Sequence, residues 1–316
     1  MRVLITGATG FVGQHLTRLL MGRKHEIFGT YLVRNSTQFP AKLKLLHCDL
    51  CQRESVLRIV RQLRPERVYH LAAFSSVKDS LKDPQAVYEN NFIGTLNLLE
   101  AIRDAAPRAR ILLVGSGQCY GRVAPKRLPI TESEILLPEN PYSASKAAAD
   151  LLGYQFFCSY GLHVVRARPF NHTGPGQSAE FVCSDFARQI AEIDLRLKPP
   201  TLTVGNLNAV RDFTDVRDVV RAYELLLRKA DAGEAYNVCS NRATSTAQIV
   251  ETLRSFAALP VKVKIDQARA RKHEIEQLYG SHHKLREATG WKPLYTLETT
   301  LRDLYSHWKK ELQKPI

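Results

Sequence analysis

The sequence predicts an α/β protein built around a doubly wound parallel sheet. Short apolar runs alternate with helical patterns through the first half of the chain, which gives five strands joined by four crossovers, and a glycine-rich turn joins the first run to the first helix. Parallel strands need crossover connections, which are usually helices. The alternation therefore indicates a single parallel sheet with helices on both faces.

The first strand is predicted at Arg2–Thr6, and the glycine-rich turn GATGFVG follows it at once. A helical pattern then begins and passes through Leu16 and Leu20. Glycines at this place let the backbone turn tightly and approach a pyrophosphate, which the free N–H groups of the helix N-terminus stabilise. The turn predicts a dinucleotide site that includes Gly7, Gly10, Phe11, Val12 and Gly13.

The second strand is predicted at residues 26–32 and ends in YLVRN. In the dinucleotide fold an acidic residue near this end binds the adenosine ribose of NAD, whereas an arginine suits the 2′-phosphate of NADP. No carboxylate is present here, but Arg34 and Asn35 are. The sequence therefore predicts NADP(H) as the cofactor, with NAD(H) as the alternative.

The other elements complete this pattern. Further strands are predicted at residues 43–47, 67–71, 110–114, 163–167 and 235–239, and helices up to about residue 63 and at 91–105 and 181–193. We expect a dinucleotide-binding domain over roughly 1–168, with returns near 211–240, and a smaller, discontinuous substrate-binding domain in 169–316. The active site is expected in the cleft between them.

Three polar side chains predict the chemistry. Tyr142 and Lys146 are four residues apart in a helical segment, so they share one face. A nearby cation favours phenolate and lowers the pKa of a tyrosine from about 10 towards the working pH of a proton-transfer catalyst. Ser116 follows an apolar strand and is expected to hold the reacting oxygen. We predict that these three residues are catalytic.

Composition narrows the possible compartments and partners. The chain has 316 residues, of which 44% are hydrophobic, and its net charge is +14. No apolar run reaches the ~20 residues of a membrane span, and the first strand starts too early to leave room for a signal peptide. The basic residues are scattered, with no aromatic-interleaved basic run. We expect a soluble cytoplasmic protein that binds neither nucleic acid nor membrane.

The six cysteines are typical of a reducing compartment, because four of them are isolated in apolar surroundings. Cys48 and Cys51 form a CxxC motif, which is found in some metal and redox sites. No second cysteine pair and no suitably spaced histidine pair accompanies it. The sequence therefore predicts no metal site.

Several motifs together resemble the extended short-chain dehydrogenases/reductases that act on nucleotide sugars. They are GATGFVG, CDL, HLAA, NFIGT, Ser116 with a following YG, and the Tyr142–Lys146 pair. The resemblance runs essentially the full length. It implies a Rossmann-type fold, a nicotinamide cofactor along the carboxyl ends of the strands, and a homodimer formed through two helices of each subunit, one of them carrying Tyr142 and Lys146.

The same resemblance assigns roles to individual residues. Lys146 would hold the nicotinamide ribose, while Tyr142 and Ser116 would act on the C4 oxygen of the sugar. Asp49 and Leu50 would flank the adenine. The remaining cofactor-binding residues, which would line the pyrophosphate-to-ribose channel or adjoin it, are Leu71, Ala72 and Ala73.

Two segments of the second half narrow the substrate class. RPFNHTGPGQ and VGNLNAVRDFTDVRD resemble the enzymes that act in series on GDP-mannose, the 4,6-dehydratases and the reductases that use their product. The resemblance implies that Asn171 holds the diphosphate or sugar, that Arg211 and Arg271 grip the diphosphate, and that Glu274 anchors Arg271. A guanidinium offers a planar fork of donors that matches phosphate oxygens.

One position favours reduction over dehydration. In the dehydratases that this sequence resembles, a glutamate two residues before the tyrosine of YG looks to act as the acid and base. This chain has Gln118 there. A glutamine cannot take and return a proton. We therefore expect NADPH-dependent reduction of the C4 keto group of GDP-4-keto-6-deoxy-D-mannose to GDP-D-rhamnose. The alternatives are a nucleotide-sugar 4-epimerase, a GDP-mannose 4,6-dehydratase, and an NADP-binding sensor module without turnover.

Overall fold

The structure, a computed structural model, describes residues 1–33, 43–269 and 275–314. Arg34, Arg271 and Glu274 lie outside these residues. The strands are β1 (Arg2–Thr6), β2 (Glu26–Tyr31), β3 (Leu43–His47), β4 (Arg67–His70), β5 (Arg110–Val114), β6 (His163–Pro169), β7 (Asn171–Thr173), β8 (Thr201–Val204), β9 (Val210–Arg211), β10 (Phe213–Asp215), β11 (Ala235–Val238), β12 (Thr244–Ser245), β13 (Lys262–Ile265) and β14 (Gln277–Leu278).

Helices connect and cover these strands. They are α1 (Phe11–Met21), α2 (Arg53–Leu63), α3 (Val77–Ser80), α4 (Pro84–Tyr88), α5 (Gly94–Ala105), α6 (Pro141–Tyr160), α7 (Val182–Asp194), α8 (Val216–Lys229), α9 (Thr246–Arg254), α10 (His283–Thr289) and α11 (Leu297–Leu312). A π-helical turn, Glu89–Ile93, joins α4 to α5, and a 3₁₀ turn, Gly117–Tyr120, follows β5. Among the described residues no helix has the length and apolar character needed to cross a membrane.

Seven strands form the central sheet in the order β11-β6-β5-β4-β1-β2-β3, and every neighbouring pair is parallel. The chain order reverses between β1 and β4, where Thr6 pairs with His70. In sheets of this kind ligands bind outside the carboxyl ends of the strands at this reversal. The predicted doubly wound fold is confirmed, and its crevice lies beside the glycine-rich turn.

Helical spacing explains how the sheet is covered. In α2 the buried residues are Val56, Ile59, Val60 and Leu63, which recur at the spacing of one helix face. Together with α5, α2 packs on one face of the sheet, and α1 and α8 pack on the other. Because both faces are covered, the strands are apolar runs rather than alternating ones.

A third core lies away from the central sheet. It joins α7, α9 and α11 with strands β8 and β13, and its buried residues include Phe186, Ile190, Leu253 and Leu304. We propose that these pieces are the smaller domain expected from the sequence. The later part of the chain that returns to the dinucleotide-binding domain includes α8 and β11. Helix α10 and Trp291 also pack on the first core, so this part extends beyond the predicted 211–240.

The predicted strands agree with the observed ones to within two residues. The largest difference is at β6, which continues to Pro169 instead of ending at residue 167. The extension exists because β11 pairs with β6 as far as Val238 and Pro169. That partner is 69 residues further along the chain, so the pattern around β6 alone does not reveal it.

Candidate active site

The glycine-rich turn is pressed against the loop that follows β4. Gly7 has a φ of +69°, and a Cβ added there would lie 2.9 Å from the Cα and N atoms of Ala72. A Cβ on Gly13 would lie 2.3 Å from the carbonyl oxygen of Gly7. Both positions therefore require glycine, since real Cβ atoms do not approach backbone so closely.

The start of α1 is suited to a pyrophosphate. Gly10 is the N-cap and gives no side-chain hydrogen bond, and the first turn, which begins with Phe11 and Val12, carries no acidic residue. The free N–H groups at this helix end therefore face the turn, and no carboxylate in the first turn of α1 competes with a phosphate for them. The cradle at Gly7 and this helix end fit the dinucleotide that the sequence predicts.

The loop after β4 is held to the end of β1. The N–H of Leu71 donates to the carbonyl oxygen of Thr6, and the N–H of Ala72 donates to the Thr6 hydroxyl, both at 3.3 Å. Leu71, Ala72 and Ala73 are partly buried at this edge. The structure thus brings Ala72 against Gly7 of the glycine-rich turn, with Leu71 and Ala73 on either side of it in the chain.

Asp49 and Leu50 lie after β3 at the same edge of the sheet. Asp49 accepts a hydrogen bond from the N–H of Cys51 at 2.9 Å, and Leu50 is 4% exposed. The side-chain amide of Asn97, on α5, donates to the carbonyl oxygen of Leu50 at 2.8 Å. Both residues are therefore fixed by local hydrogen bonds, and Leu50 is held directly to α5.

Local capping fixes where α6 begins. The Asn140 side chain accepts from the N–H of Ser143 at 2.9 Å, and the Ser143 hydroxyl accepts from the N–H of Asn140 at 3.2 Å. Pro141 occupies the first helical position, where its missing N–H costs nothing. This capping box places Tyr142 in the first turn of α6 and Lys146 one turn later.

The three predicted catalytic residues come together at this helix end. Ser116 follows β5 and caps the 3₁₀ turn by accepting from the N–H of Gln118 at 3.2 Å. The Ser116 side chain is close enough to the Tyr142 phenol to lower its pKa. Lys146 is 4% exposed. The serine, the phenol and the ammonium are therefore supplied by the end of one strand and one face of one helix.

Burial shifts the pKa values of this site in opposite directions. It raises the pKa of Tyr142 to about 12, against the hydrogen bond from Ser116, which lowers it. It lowers the pKa of Lys146 to about 8, against the nearby Cys119 and Asp150, which raise it. At neutral pH the phenol keeps its proton and Lys146 carries its charge. The expected lowering of the phenol pKa by Lys146 is not found, because desolvation dominates.

An ion-pair cluster holds α6 against the sheet. Asp150, one turn after Lys146, accepts from Arg166 at 2.7 Å and from Arg168 at 2.8 and 3.0 Å, both arginines being on β6. The Asp150 side chain is 1% exposed. In addition, a Cβ on Gly153 would lie 2.7 Å from Leu113, so the helix approaches β5 closely.

Asn171 lies where the substrate segment meets the cofactor turn. It opens β7, which pairs with β10, and its side chain is half-buried and makes no hydrogen bond within the described part of the chain. The neighbouring His172 stacks on Phe11 of α1 at 6.3 Å between ring centroids. His15 bonds the carbonyl oxygen of Pro175 at 2.9 Å. Asn171 is therefore next to the start of α1.

Arg211 lies in a small three-stranded sheet formed by β12, β9 and β14. Its guanidinium donates to the carbonyl oxygens of Val210 at 2.9 Å and Glu276 at 3.2 Å. These bonds hold it beside residue 276, shortly after the segment 270–274 that contains Arg271 and Glu274. Those two residues, like Arg34, fall outside the described ranges.

Gln118 occupies the 3₁₀ turn between Ser116 and Tyr120. Its side chain is half-buried and has no hydrogen-bond partner among the residues that the structure describes. An amide at this place offers a hydrogen bond but cannot exchange a proton. The position therefore lacks the acid or base that elimination of water needs.

Buried polar residues that the sequence analysis left without a role surround the catalytic helix. Asn91, in the π-helical turn, accepts from the N–H of Phe74 at 2.8 Å and donates to the Ser145 hydroxyl at 2.9 Å. His70 and Thr95 lie behind it and are 2% and 1% exposed. The sequence does contain a sign of this group: His70 ends an otherwise apolar strand, and a buried histidine needs polar partners.

Comparisons with known proteins agree with this geometry. Residues 4–304 match the model of a family described as GDP-mannose 4,6 dehydratase. A GDP-6-deoxy-D-mannose reductase from Pseudomonas aeruginosa is 38% identical, over 99% of this chain and 99% of its own length. The structure of RMD from Pseudomonas aeruginosa complexed with NADPH has a TM-score of 0.86 and 37% identity, covering 98% of this chain and 99% of that one.

A further solved structure is similar to the same extent. UDP-glucose 4-epimerase from Thermus thermophilus, in complex with NAD, has a TM-score of 0.88 and 31% identity, covering 98% of this chain and 99% of that one. The chain is thus similar over its whole length to proteins that bind either nicotinamide dinucleotide.

We expect Gly7→Ala to abolish NADPH binding, because the new Cβ would meet the backbone of Ala72 at 2.9 Å and push the turn away. Gly161→Ala is the matched control: Gly161 has a φ of +64° but no atom within 4 Å of the added Cβ. Both variants should lose about 1 kcal/mol of stability from the left-handed backbone. Titration of NADPH fluorescence measures the difference. Equal binding by both variants would contradict this role of the close approach.

Proposed function

The chain belongs to the GDP-mannose 4,6 dehydratase family, and we propose that it is a reductase: it uses NADPH to reduce the C4 keto group of GDP-4-keto-6-deoxy-D-mannose to GDP-D-rhamnose. One observation carries this proposal. Ser116, a protonated Tyr142 and Lys146 meet at the sheet edge, while Gln118 replaces the carboxyl group that dehydration needs. Similarity over the full chain to a GDP-6-deoxy-D-mannose reductase supports it.

The residues of the site have separate tasks in this reaction. Bound NADPH supplies the hydride. Tyr142 donates its phenol proton to the C4 oxygen, and the raised pKa ensures that the proton is present at neutral pH. Ser116 donates a hydrogen bond to the same oxygen. Lys146, one turn further along α6, holds the nicotinamide ribose and so keeps the cofactor close to the phenol.

Other residues are proposed to bind rather than react. The glycine-rich turn, Phe11 and Val12 hold the pyrophosphate, and the loop from Leu71 to Ala73 lines the channel towards the ribose. Asp49 and Leu50 flank the adenine, and Arg34 selects the 2′-phosphate. Asn171, Arg211 and Arg271 hold the GDP-sugar, with Glu274 as the partner of Arg271. The Asn171 side chain has no hydrogen-bond partner within residues 1–33, 43–269 and 275–314, and its neighbour His172 stacks on Phe11, which supports its assignment.

The second candidate is a nucleotide-sugar 4-epimerase. The likeness to a UDP-glucose 4-epimerase with NAD favours it, because an epimerase oxidises and then reduces the same carbon and needs the same three residues. Dehydration is disfavoured by Gln118. A sensor module without turnover has no chemical need for the assembled Ser116, Tyr142 and Lys146.

The deciding assay supplies GDP-4-keto-6-deoxy-D-mannose, produced by a separate dehydratase, to the purified protein with NADPH. We expect stoichiometric loss of NADPH absorbance and a 6-deoxy-hexose product with D-rhamno stereochemistry by NMR. A product of the other C4 configuration would correct the stereochemistry. Conversion of nucleotide sugars without added reductant would establish the epimerase instead.

Tyr142→Phe should leave NADPH binding within about twofold and reduce kcat by roughly 10²–10⁴-fold, because it removes the proton donor and little else. Tyr160→Phe, at the exposed end of the same helix, is the control and should keep full activity. Steady-state kinetics and NADPH titration of both variants make the comparison. Unchanged turnover by Tyr142→Phe would show that the proton comes from another group.

We propose a homodimer formed through α6 and the adjoining helices. Leu151 and Tyr154 on α6 are 56% and 47% exposed, and Tyr88 and Ile93 on the segment packed against α6 are 41% and 39% exposed. Light scattering should give twice the 35.7 kDa chain mass. Leu151→Glu should give a monomer, whereas Leu137→Glu, on an exposed loop, should not. A monomeric unmodified protein would refute this assembly.

We place the protein in the cytoplasm. All six cysteines are free, four of them buried, as is usual in a reducing compartment. Cell fractionation followed by detection of the protein checks this placement.

A further inference from the structure

Behind the catalytic helix a chain of hydrogen bonds crosses the molecule between the cofactor turn and α6. It begins at Thr6, the last residue of β1, whose hydroxyl bonds Nδ1 of His70 at 2.8 Å. Nε2 of His70 bonds the Thr95 hydroxyl at 2.9 Å, and Thr95 bonds the carbonyl oxygen of Asn91 at 2.6 Å. Thr6, His70, Thr95 and Asn91 are each at most 2% exposed.

The chain continues through Asn91 to the catalytic residues. The side-chain amide nitrogen of Asn91 donates to the Ser145 hydroxyl at 2.9 Å, and this hydroxyl donates to the backbone carbonyl oxygen of Tyr142 at 2.8 Å. Ser145 is fully buried and precedes Lys146 in the first turns of α6. One end of this series of hydrogen bonds therefore reaches the backbone of Tyr142.

The other end reaches the cofactor turn. The N–H of Ala72 donates to the Thr6 hydroxyl at 3.3 Å, and Ala72 is the residue against which Gly7 is packed. Thr6 itself directly precedes Gly7 in the chain. A change in the position of this hydroxyl therefore moves the backbone that cradles the dinucleotide.

The donors and acceptors fit in only one direction. The Thr95 hydroxyl has one proton and gives it to Asn91, so it accepts from Nε2 of His70. Burial lowers the pKa of His70 to about 3, so the ring is neutral and its Nδ1 accepts from Thr6. The Thr6 oxygen is left to accept from Ala72. His70 is thus held as a single tautomer by two hydroxyl groups.

We propose that Thr6, His70 and Thr95 are positioning residues, which keep the start of α6, and with it Tyr142 and Lys146, in register with the dinucleotide cradle. This inference rests on the proposed function. Catalysis of this kind depends on the exact distance between the proton donor and the bound cofactor, and small displacements cost much of the rate. A rigid, fully satisfied polar chain fixes that distance better than apolar packing does.

The critical variant is Thr95→Val, which keeps the shape of the side chain and removes the hydroxyl in the middle of the chain. Thr6, His70 and Ala72 remain in place, so the cradle itself is untouched. Thr95→Ser restores the hydroxyl. The matched control is Thr289→Val: the buried Thr289 hydroxyl likewise donates to the carbonyl four residues earlier, that of Leu285, and accepts one N–H, that of Trp291.

We expect Thr95→Val to lower kcat about tenfold while the NADPH dissociation constant stays within about twofold, and Thr95→Ser to recover most of the rate. Thr289→Val should lose comparable stability and keep its kcat. Thr95→Val combined with Ser145→Ala should cost no more than the worse single variant, because both break one chain. Equal kcat values for Thr95→Val and Thr289→Val would overturn the proposal.

A second measurement separates this proposal from the proposed function. Hydrogen exchange of the peptide that spans residues 141–146, with NADPH bound, needs no substrate. It should be about tenfold faster in Thr95→Val than in Thr289→Val, since a lost hydrogen bond of about 1.4 kcal/mol corresponds to that factor. If the unmodified protein fails to reduce the GDP-sugar but this difference is present, the proposed function fails and the positioning role stands. Equal exchange overturns the positioning role.

Discussion

The site depends on one buried ion-pair cluster, that of Asp150 with Arg166 and Arg168. These groups are almost fully removed from water, and the single carboxylate of Asp150 accepts hydrogen bonds from both guanidinium groups at 2.7–3.0 Å. Removing Asp150 would leave two buried guanidinium groups without their carboxylate. Breaking a buried ion pair in this way commonly costs about 3–5 kcal/mol, a large part of the roughly 5–15 kcal/mol by which a protein is stable. The cluster fixes α6 on β6, and α6 carries the phenol and the ammonium.

Because α6 lies in the interior, desolvation governs the chemistry of its side chains. A phenol and an ammonium both prefer their neutral forms when water is removed, so burial raises the pKa of Tyr142 and lowers that of Lys146. The lysine remains charged at neutral pH, helped by Asp150 one turn away. The tyrosine remains protonated, which is the state that a reduction requires at its start.

The cofactor turn and the substrate segment are joined by few contacts, and these contacts are specific. Phe11, in the first turn of α1, stacks on His172, and His15 bonds Pro175. The residues that follow β6 are therefore set by the same helix whose N-terminus faces the pyrophosphate.

The sequence by itself determined the order of strands and helices along the chain and the glycine-rich turn, and it singled out Ser116, Tyr142 and Lys146 as candidate catalytic residues. These features depend on local patterns: apolar runs bounded by turns, glycines where a Cβ has no room, and the four-residue spacing of Tyr142 and Lys146. The resemblance to nucleotide-sugar enzymes also predicted substrate-binding roles for Asn171 and Arg211, but it did not predict where these residues lie in the structure.

Only the tertiary structure decided the rest, because the deciding partners are far apart in the chain. Pro169 is in a strand because Val238 pairs with it. The sequence predicted that Lys146 lowers the pKa of Tyr142, but burial, which spacing cannot reveal, raises that pKa. Thr6, His70 and Thr95 became a connected chain only when β1, β4 and α5 were packed together, since hydrogen bonds need atoms within about 3 Å and no local pattern specifies that distance.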